Sequence, residues 1–179
     1  PYRKILKEGI SDLTPLDIEY ARQLGYTIKL LGIANAADTE VEARVHPVLV
    51  PNQALLANIN DEFNAVEVVG HAAGPQVYYG RGAGSLPTAS AVVSDLIEQA
   101  DRRVAGRQRV SRHLVEVNHT SPVPHERIRT SYYCRFTVRD KLGVLADISR
   151  IFSDHNISIA TVIQQGRSEV EGGTVPLIM

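Results

Sequence analysis

The local pattern best suited to chemistry is a glycine-rich loop, Gly80–Gly84 (GRGAG), that follows a predicted strand and precedes a predicted helix. Closely spaced glycines let the main chain approach a ligand, and the helix start offers unpaired N–H groups to an anion. The loop is not a dinucleotide fingerprint, because Ser85 stands where the last glycine would be, and it lacks a Walker lysine. The spacing therefore fits two alternatives equally, contact with a phosphate or carboxylate and a tight structural turn.

A second strand-to-helix turn, Asp140–Gly143, has a weaker pattern of the same kind. Asp140 can cap the following helix, and Gly143 leaves room for a small ligand at the helix start. Asn156 is predicted to close that helix, because asparagine tolerates the left-handed conformation. From the residues alone, ordinary capping explains this pattern better than ligand binding.

The remaining reactive side chains do not form a recognisable centre. His113, His119 and His125 recur every six residues, a period that fits neither a helix face nor most metal sites, so we expect solvated histidines and no metal. The single cysteine, Cys134, alternates with apolar residues, which predicts a small buried side chain rather than a nucleophile. One cysteine also excludes internal disulfides and suits a reducing compartment, so a cytoplasmic protein is expected.

Charge is distributed unevenly, although the net charge is only −1. Residues 1–101 carry 7 basic and 13 acidic side chains, residues 102–139 carry 9 and 2, and residues 140–179 carry 3 and 5. The basic side chains of the middle segment are all arginines without helical spacing, which favours a connector facing the acidic first segment over a nucleic-acid surface. No apolar run approaches the roughly 18 residues that span a bilayer, so no membrane contact is expected.

The length of 179 residues predicts two modules rather than one. The first module, residues 1–104, reads as a helix, two hairpins and a second helix, which predicts an α+β fold with a largely antiparallel sheet and helices on one face. Residues 105–131 are predicted to be a basic linker. Residues 132–179 read as strand, helix and strand, a partial ferredoxin-like βαβ module, followed by the start of a third strand at an open edge.

Local signals place these elements. Thr14 is the predicted cap of a helix over 15–24, with Asp17 three residues after the cap and with Ile18 and Ala21 on the buried face. Gly25 is predicted to end this helix in a left-handed conformation, and Thr88 is the predicted cap of the second helix. Strands are predicted over 26–34, 40–46, 65–71, 76–79, 132–138 and 157–163, with prolines limiting strand pairing beyond residue 46. Five apolar side chains are predicted to form the buried face of the second helix: Val92, Val93, Leu96, Ile97 and Ala100.

Residues 8–103 resemble homoserine dehydrogenases, and residues 132–179 resemble the first half of an ACT domain. The first resemblance lies in the segments TPLDI (14–18), LGYTIKLLGIA (24–34), VEARVHP (41–47), FNAV (63–66) and YGRGAGSLPTASAVVSD (79–95). The second lies in DKLGVLA (140–146) and NISI (156–159). This order of the two parts is typical of the bacterial type of the enzyme.

The resemblance implies NAD(P)-dependent interconversion of L-homoserine and L-aspartate 4-semialdehyde, with feedback inhibition by an amino acid, usually threonine. It also implies that Gly82 and Gly84 contact the cofactor, and that Asp140, Gly143 and Asn156 contact the effector. A homodimer or higher homo-oligomer is expected, without nucleic-acid or membrane partners.

The departures from the family pattern are equally informative. The glycine fingerprint of the nucleotide-binding domain and the family's catalytic acidic residues and lysine are absent, and Lys29 lies in a strand that does not correspond to them. We therefore expect no catalytic residue in this chain, an inactive fragment, and an ACT part without its second helix and last strand. The alternative function is a non-catalytic amino-acid sensor, which the residues upstream of position 1 would distinguish.

Overall fold

The computed structural model describes residues 5–36, 40–106, 121–166 and 172–179, and it confirms the α+β class. His113 and His119 lie outside the described residues, as does most of the predicted linker. The helices of the described part are α1 (Pro15–Gln23), α2 (Ser85–Val104) and α3 (Val144–Asp154). Its strands are β1 (Leu6–Lys7), β2 (Tyr26–Ala36), β3 (Glu40–Pro51), β4 (Phe63–Gly70), β5 (Gly74–Arg81), β6 (Ser121–Pro122), β7 (Arg135–Arg139), β8 (Ile163–Gln164) and β9 (Thr174–Ile178).

Helix α1 begins with the predicted cap and ends at the predicted glycine. Thr14 and Asp17 form a reciprocal capping box, and Gly25 follows the helix with a φ of +84°. The buried face, however, is formed by Asp17, Tyr20 and Ala21, while Ile18 is 49% exposed. The predicted placement of Ile18 is wrong because the buried face carries a paired carboxylate, which a purely apolar pattern cannot identify.

The first sheet has the order β1-β3-β2, with β6 also pairing with β3. Strand β3 continues through Pro47 to Pro51, so the expected limit on pairing is wrong. The carbonyl groups of Val41 and Val45 accept hydrogen bonds from Val123 and Glu8, on the side of β3 away from β2. Pro47 and Pro51 lie an even number of residues further along, so their nitrogens face the same side, where no strand of the described structure pairs with β3 beyond Val45.

Near Arg44, the charged side chains of β3 are more buried than the apolar side chain beside them, which is the opposite of what the alternating pattern predicts. The apolar side chain of Val45 is 39% exposed, whereas the side chains of Arg44 and Glu42 on the opposite face are only 11% and 21% exposed. Arg44 Nε lies 3.0 Å from Glu42 Oε1, and Asn35 donates to the same carboxylate at 3.3 Å. The charges around Arg44 are therefore enclosed by pairing, whereas Val45 on the opposite face is exposed and Val41 and Ala43 are half-buried.

Strands β4 and β5 form a separate antiparallel hairpin, and α2 follows it. Helix α2 begins at Ser85, one turn before the predicted cap Thr88, because Gly84 takes the N-cap position with a φ of +108°. None of the α2 side chains in the described structure is buried; Val92, Val93, Leu96 and Ile97 are 51–64% exposed. The prediction of a buried face is thus wrong for this chain, since no element of the described part packs on it.

The second module is a three-stranded sheet in the order β7-β9-β8. Both β7 and β8 run antiparallel to β9, and α3 joins them as the crossover of the predicted βαβ unit. Strand β8 is much shorter than the predicted 157–163. Strand β9, expected at an open edge, lies in the middle of the sheet, because it pairs with β7 through residues 174–178 and with β8 through Leu177 and Ile178.

The most buried side chains of the second module lie on β9. Val175 and Leu177 of β9 share a sheet face with Phe136, whose ring lies 6.2 Å from that of Phe152 on α3. Ile178 lies on the opposite face with Arg135 and is 1% exposed. Two hydrogen-bonded contacts, Arg135 to Asp17 and Gln165 to Gln23, place α1 against this second face. Helix α1 of the first module therefore covers the sheet of the second.

Candidate functional site

The glycine-rich loop is a tight connection anchored on the start of β4. The N–H groups of Gly82 and Ala83 both donate to the Glu62 carbonyl, at 2.9 and 3.3 Å. Gly84 combines a φ of +108° with a ψ of 152°, a conformation essentially restricted to glycine. The first N–H groups of α2 have no acceptor within the helix, as at any helix start. Pro87 has no N–H and Thr88 donates to the Gly84 carbonyl, so the donors that α2 can offer to an anion are the N–H groups of Ser85 and Leu86.

Gly82 has a steric role that the sequence did not indicate. A Cβ atom at this position would lie 1.4 Å from Nδ2 and 2.5 Å from Cγ of Asn64. The Asn64 side chain therefore occupies the space that Gly82 leaves empty. The two glycines have different structural functions, since Gly82 admits a neighbouring side chain and Gly84 allows the turn into α2.

Replacing Gly82 by alanine is expected to lower the free energy of unfolding by about 1–2 kcal/mol, because the Asn64 amide must leave its position. Asn64→Ala removes the amide atoms, so the double variant G82A/N64A should be no less stable than N64A alone. Urea unfolding of the four proteins measures this coupling. Strictly additive losses would contradict the steric explanation.

The second predicted site is only partly assembled. Gly143, with a φ of +92°, is the N-cap of α3, and no side chain caps this helix, so the expected capping by Asp140 is wrong. The Asp140 N–H instead donates to the Gly173 carbonyl at 2.9 Å. Asn156 has a φ of +57°, which confirms its left-handed conformation. The 11 residues of α3 separate Gly143 from Asn156, a rise of about 16 Å, so one chain does not bring these residues together.

The strongest polar cluster joins α1 to β7 through the Asp17 carboxylate, which is 4% exposed. Oδ1 accepts hydrogen bonds from Arg135 Nε at 2.6 Å and Tyr133 Oη at 2.9 Å. Oδ2 accepts from Arg135 Nη2 at 3.2 Å, Thr14 N at 2.9 Å and Thr14 Oγ1 at 2.6 Å. All the donors are supplied by the helix cap and the second module, so we call Asp17, Tyr133 and Arg135 the junction.

The junction fixes the charge state of its members. Burial alone would raise the pKa of the Asp17 carboxyl, but hydrogen bonds from Arg135, Thr14 and Tyr133 outweigh it and hold this pKa well below its ordinary value of 3.8. Burial and the hydrogen bond to Asp17 raise the pKa of the Tyr133 phenol, and the hydrogen bond to Asp17 raises the pKa of Arg135. Asp17 is therefore a charged acceptor and Tyr133 a neutral donor.

The lowered pKa of Asp17 predicts an acid-dependent loss of stability. The charged carboxylate contributes its full stability above the ordinary value of 3.8, and this contribution is lost as the pH falls below that value. In Asp17→Asn the unfolding midpoint should therefore depend less on pH between about 2 and 4 than in the parent. Asp95→Asn, on exposed α2, is the control, and equal acid dependence in the parent and in D17N would contradict the assignment.

A cleft of about 600 Å³ lies beside the junction. It contains side chains of both charges, Lys7, Glu8 and Asp12 from the segments around β1 and α1, together with the junction residues, and its apolar wall is formed by Leu13 and Pro47. Asp17 and Arg135 in its lining already neutralise each other, so the cleft is a polar opening at the boundary of the two modules.

Sequence reasoning did not identify the junction. The sequence pattern indicates Asp17 only as part of a helix cap and Arg135 only as one of several arginines. The signal available was a cap aspartate on the same helix face as Tyr20 and Ala21, both buried. Lys29 donates to the Ile59 carbonyl and to Asn60 Oδ1, which is a structural function, as its position in β2 suggested.

Two further features of the described residues concern metals and membranes. The described residues contain no group of three or more histidine, cysteine, aspartate or glutamate side chains able to hold a metal ion. Within the same part of the chain, no helix is both long and apolar enough to cross a membrane.

Comparison with known proteins gives matches in both modules. The family model described as homoserine dehydrogenase matches residues 1–97, and the ACT domain model matches residues 132–178. A homoserine dehydrogenase of Pseudomonas aeruginosa is 40% identical over 99% of this chain, and one of Neisseria gonorrhoeae is 43% identical over 89%. The crystal structure of a homoserine dehydrogenase from Thiobacillus denitrificans matches 99% of the chain with a TM-score of 0.82 and 43% identity.

The relatives are considerably longer than this chain. It covers 42% of the Pseudomonas protein, 38% of the Neisseria protein and 40% of the Thiobacillus structure. The chain thus spans about two fifths of the length of the relatives it matches.

Proposed function

The chain belongs to the homoserine dehydrogenase family, and we propose that it acts as the substrate-domain and ACT portion of an NAD(P)-dependent homoserine dehydrogenase. The observation that carries this proposal is the 40% identity to a protein of that name across 99% of the chain. The proposed reaction interconverts L-homoserine and L-aspartate 4-semialdehyde, in the biosynthesis of threonine and methionine. We further propose a cytoplasmic enzyme.

The proposed division of labour follows the two family matches. Residues 1–104 would form the substrate-binding and dimerisation part, residues 105–131 the connector, and residues 132–179 the regulatory part. Arg127 of the connector donates to both oxygens of Glu40, at 2.8 and 3.1 Å, which supports a connector that lies on the acidic first module.

Gly82 and Gly84 are the proposed contacts to the cofactor. The glycine-specific conformation of Gly84 brings the main chain to the start of α2, where N–H groups without helical acceptors face outward. A bound nicotinamide would accept a hydride from the alcohol carbon of homoserine while a base takes the hydroxyl proton. The described residues supply a surface for positioning the cofactor, and the general base is proposed to lie in the portion of the relatives that this chain does not cover.

The test compares two proteins by the absorbance of the reduced nicotinamide. A protein that extends this chain to the full length of its relatives is expected to oxidise L-homoserine with NAD(P), and the 179-residue chain alone should give no rate above the blank. Failure of the longer protein to oxidise homoserine, with retained binding of an amino acid, would favour the alternative of a non-catalytic sensor.

We propose that Asp140, Gly143 and Asn156 contact a threonine-like effector. Because α3 holds Gly143 and Asn156 about 16 Å apart, a site that uses all three would draw them from two copies of the chain. A homodimer is consistent with the apolar side chains that β4 and β5 expose, such as Val66 and Tyr78 at 60% and 61%. Asn156→Ala should weaken inhibition by L-threonine, measured with and without threonine at constant homoserine, and unchanged inhibition would remove Asn156 from the site.

A further inference from the structure

Helix α1 contacts the second module near both of its ends. Near its N-terminus, Asp17 accepts hydrogen bonds from Tyr133 and Arg135, and at its C-terminus Gln23 accepts one from Gln165 at 2.7 Å. Tyr133 and Arg135 lie at the start of one edge strand, whereas Gln165 follows the other edge strand. The helix therefore lies across the sheet and is fixed to it on both sides.

The Asp17 carboxylate belongs to two structures at once. It completes the capping box with Thr14, which orders the first turn of α1, and it holds the guanidinium of Arg135. A shift of Arg135 relative to α1 would remove two of the hydrogen bonds to this buried carboxylate. The first turn of a first-module helix thus depends on the position of a second-module strand.

Strand β7 connects the junction to the Asp140–Gly143 turn. Its five residues pair with β9 over their whole length, and Cys134 exchanges two further hydrogen bonds of 2.9 Å with Met179. At about 3.4 Å per residue, the five residues of β7 span about 17 Å between the junction and this turn. At the other end of α1, Gly25 leads directly into β2, which pairs with β3 over 11 residues.

We propose that the junction of Asp17, Tyr133 and Arg135 is a coupling device, which transmits displacement of the regulatory strand β7 to helix α1 and the first sheet. The coupling is a property of this chain, and only its use in amino-acid inhibition rests on the proposed function. Arg135 and Tyr133 act as positioning residues, because their hydrogen bonds hold the Asp17 carboxylate.

Hydrogen exchange of the 179-residue chain, followed by mass spectrometry, tests the coupling in both directions. Arg135→Gln, a change in the second module, should accelerate exchange of the α1 amides after the first turn by about tenfold or more, since a charged hydrogen-bond pair is lost. Asp17→Asn, a change in the first module, should accelerate exchange in β7. Tyr133→Phe removes a single hydrogen bond to Asp17, so it should accelerate exchange of the same α1 amides by a smaller factor.

Matched controls lie on the same elements. Arg139 shares a strand and a sheet face with Arg135, but its side chain makes no hydrogen bond to α1 within the described residues, so Arg139→Gln should leave exchange in α1 unchanged. Glu19 is exposed on α1, so Glu19→Gln is the control for Asp17→Asn and should leave exchange in β7 unchanged. If R135Q accelerates exchange only in the second module, or if R139Q affects α1 equally, the junction does not couple the modules.

A second measurement uses the full-length enzyme with L-threonine as the probe. R135Q should keep its turnover without threonine and lose at least half of the inhibition that saturating threonine gives in the parent. Full inhibition in R135Q would overturn the regulatory use of the junction. An inactive full-length parent would refute the proposed function, while the exchange results would still decide on the coupling.

Discussion

Asp17→Ala is expected to lower the free energy of unfolding of the chain by about 3 kcal/mol. The substitution removes the acceptor of five hydrogen bonds and leaves the Arg135 guanidinium without its partner, and breaking a buried ion pair from one side is among the most destabilising single changes. Arg135 retains 29% side-chain exposure, so water can recover part of its hydration, and the loss should stay at the lower end for such pairs.

Urea unfolding at neutral pH measures this loss. Glu19→Ala is the matched control, because Glu19 is an exposed carboxylate on the same helix that accepts only a weak hydrogen bond of 3.4 Å from Gln23. We expect the control to stay within about 0.5 kcal/mol of the parent. If D17A and E19A unfold at the same urea concentration, the junction does not hold the modules together.

Gly84→Ala should reduce kcat/KM for NAD(P) about tenfold or more in the full-length enzyme. An alanine resists a φ of +108° with a ψ of 152°, a strain of about 1–3 kcal/mol that the loop would relieve by moving the start of α2. A Cβ atom would lie 3.4 Å from Cδ of Pro87, which is van der Waals contact, so the strain arises from the backbone angles rather than from a clash. The first N–H groups of the helix would then point away from the proposed cofactor position.

Gly106→Ala separates this effect from a general loss of stability. Gly106 follows the other end of α2 with a φ of +61°, and a Cβ atom there would meet no atom within 4 Å. G106A should therefore destabilise α2 without changing the KM for NAD(P). A normal KM and kcat in G84A, or an equal loss in G106A, would show that the loop does not position the cofactor.

Features that depend on neighbouring residues were predictable from the sequence. The Thr14 cap, the left-handed Gly25 and Asn156, and the pairing of the two hairpins all follow from interactions within a few residues, and each is observed. The glycine-rich loop was also located correctly. Its sequence could not reveal that the Gly82 and Ala83 N–H groups are already used by Glu62, because that contact spans two strands.

Features that depend on distant partners were not predictable. Asp17 and Arg135 are separated by 118 positions, and neither carries a local sign of the other. The extension of β3 through Pro47 depended on which side of the strand has no neighbour, and the exposure of α2 depends on what packs against it. The apolar side chains of α2 lie on one face of the helix, but burial requires a second surface that the described residues do not provide.

The central position of β9 sets an order of events during folding. Strands β7 and β8 have no hydrogen bonds to each other in the observed sheet, since each pairs only with β9, which comes last of the three in the chain. Neither edge strand can complete its ladder, and α1 has no finished sheet to cover, until residues 174–178 are available. Completion of this sheet, and with it the docking of α1 on its open face, is therefore a late, high-contact-order step.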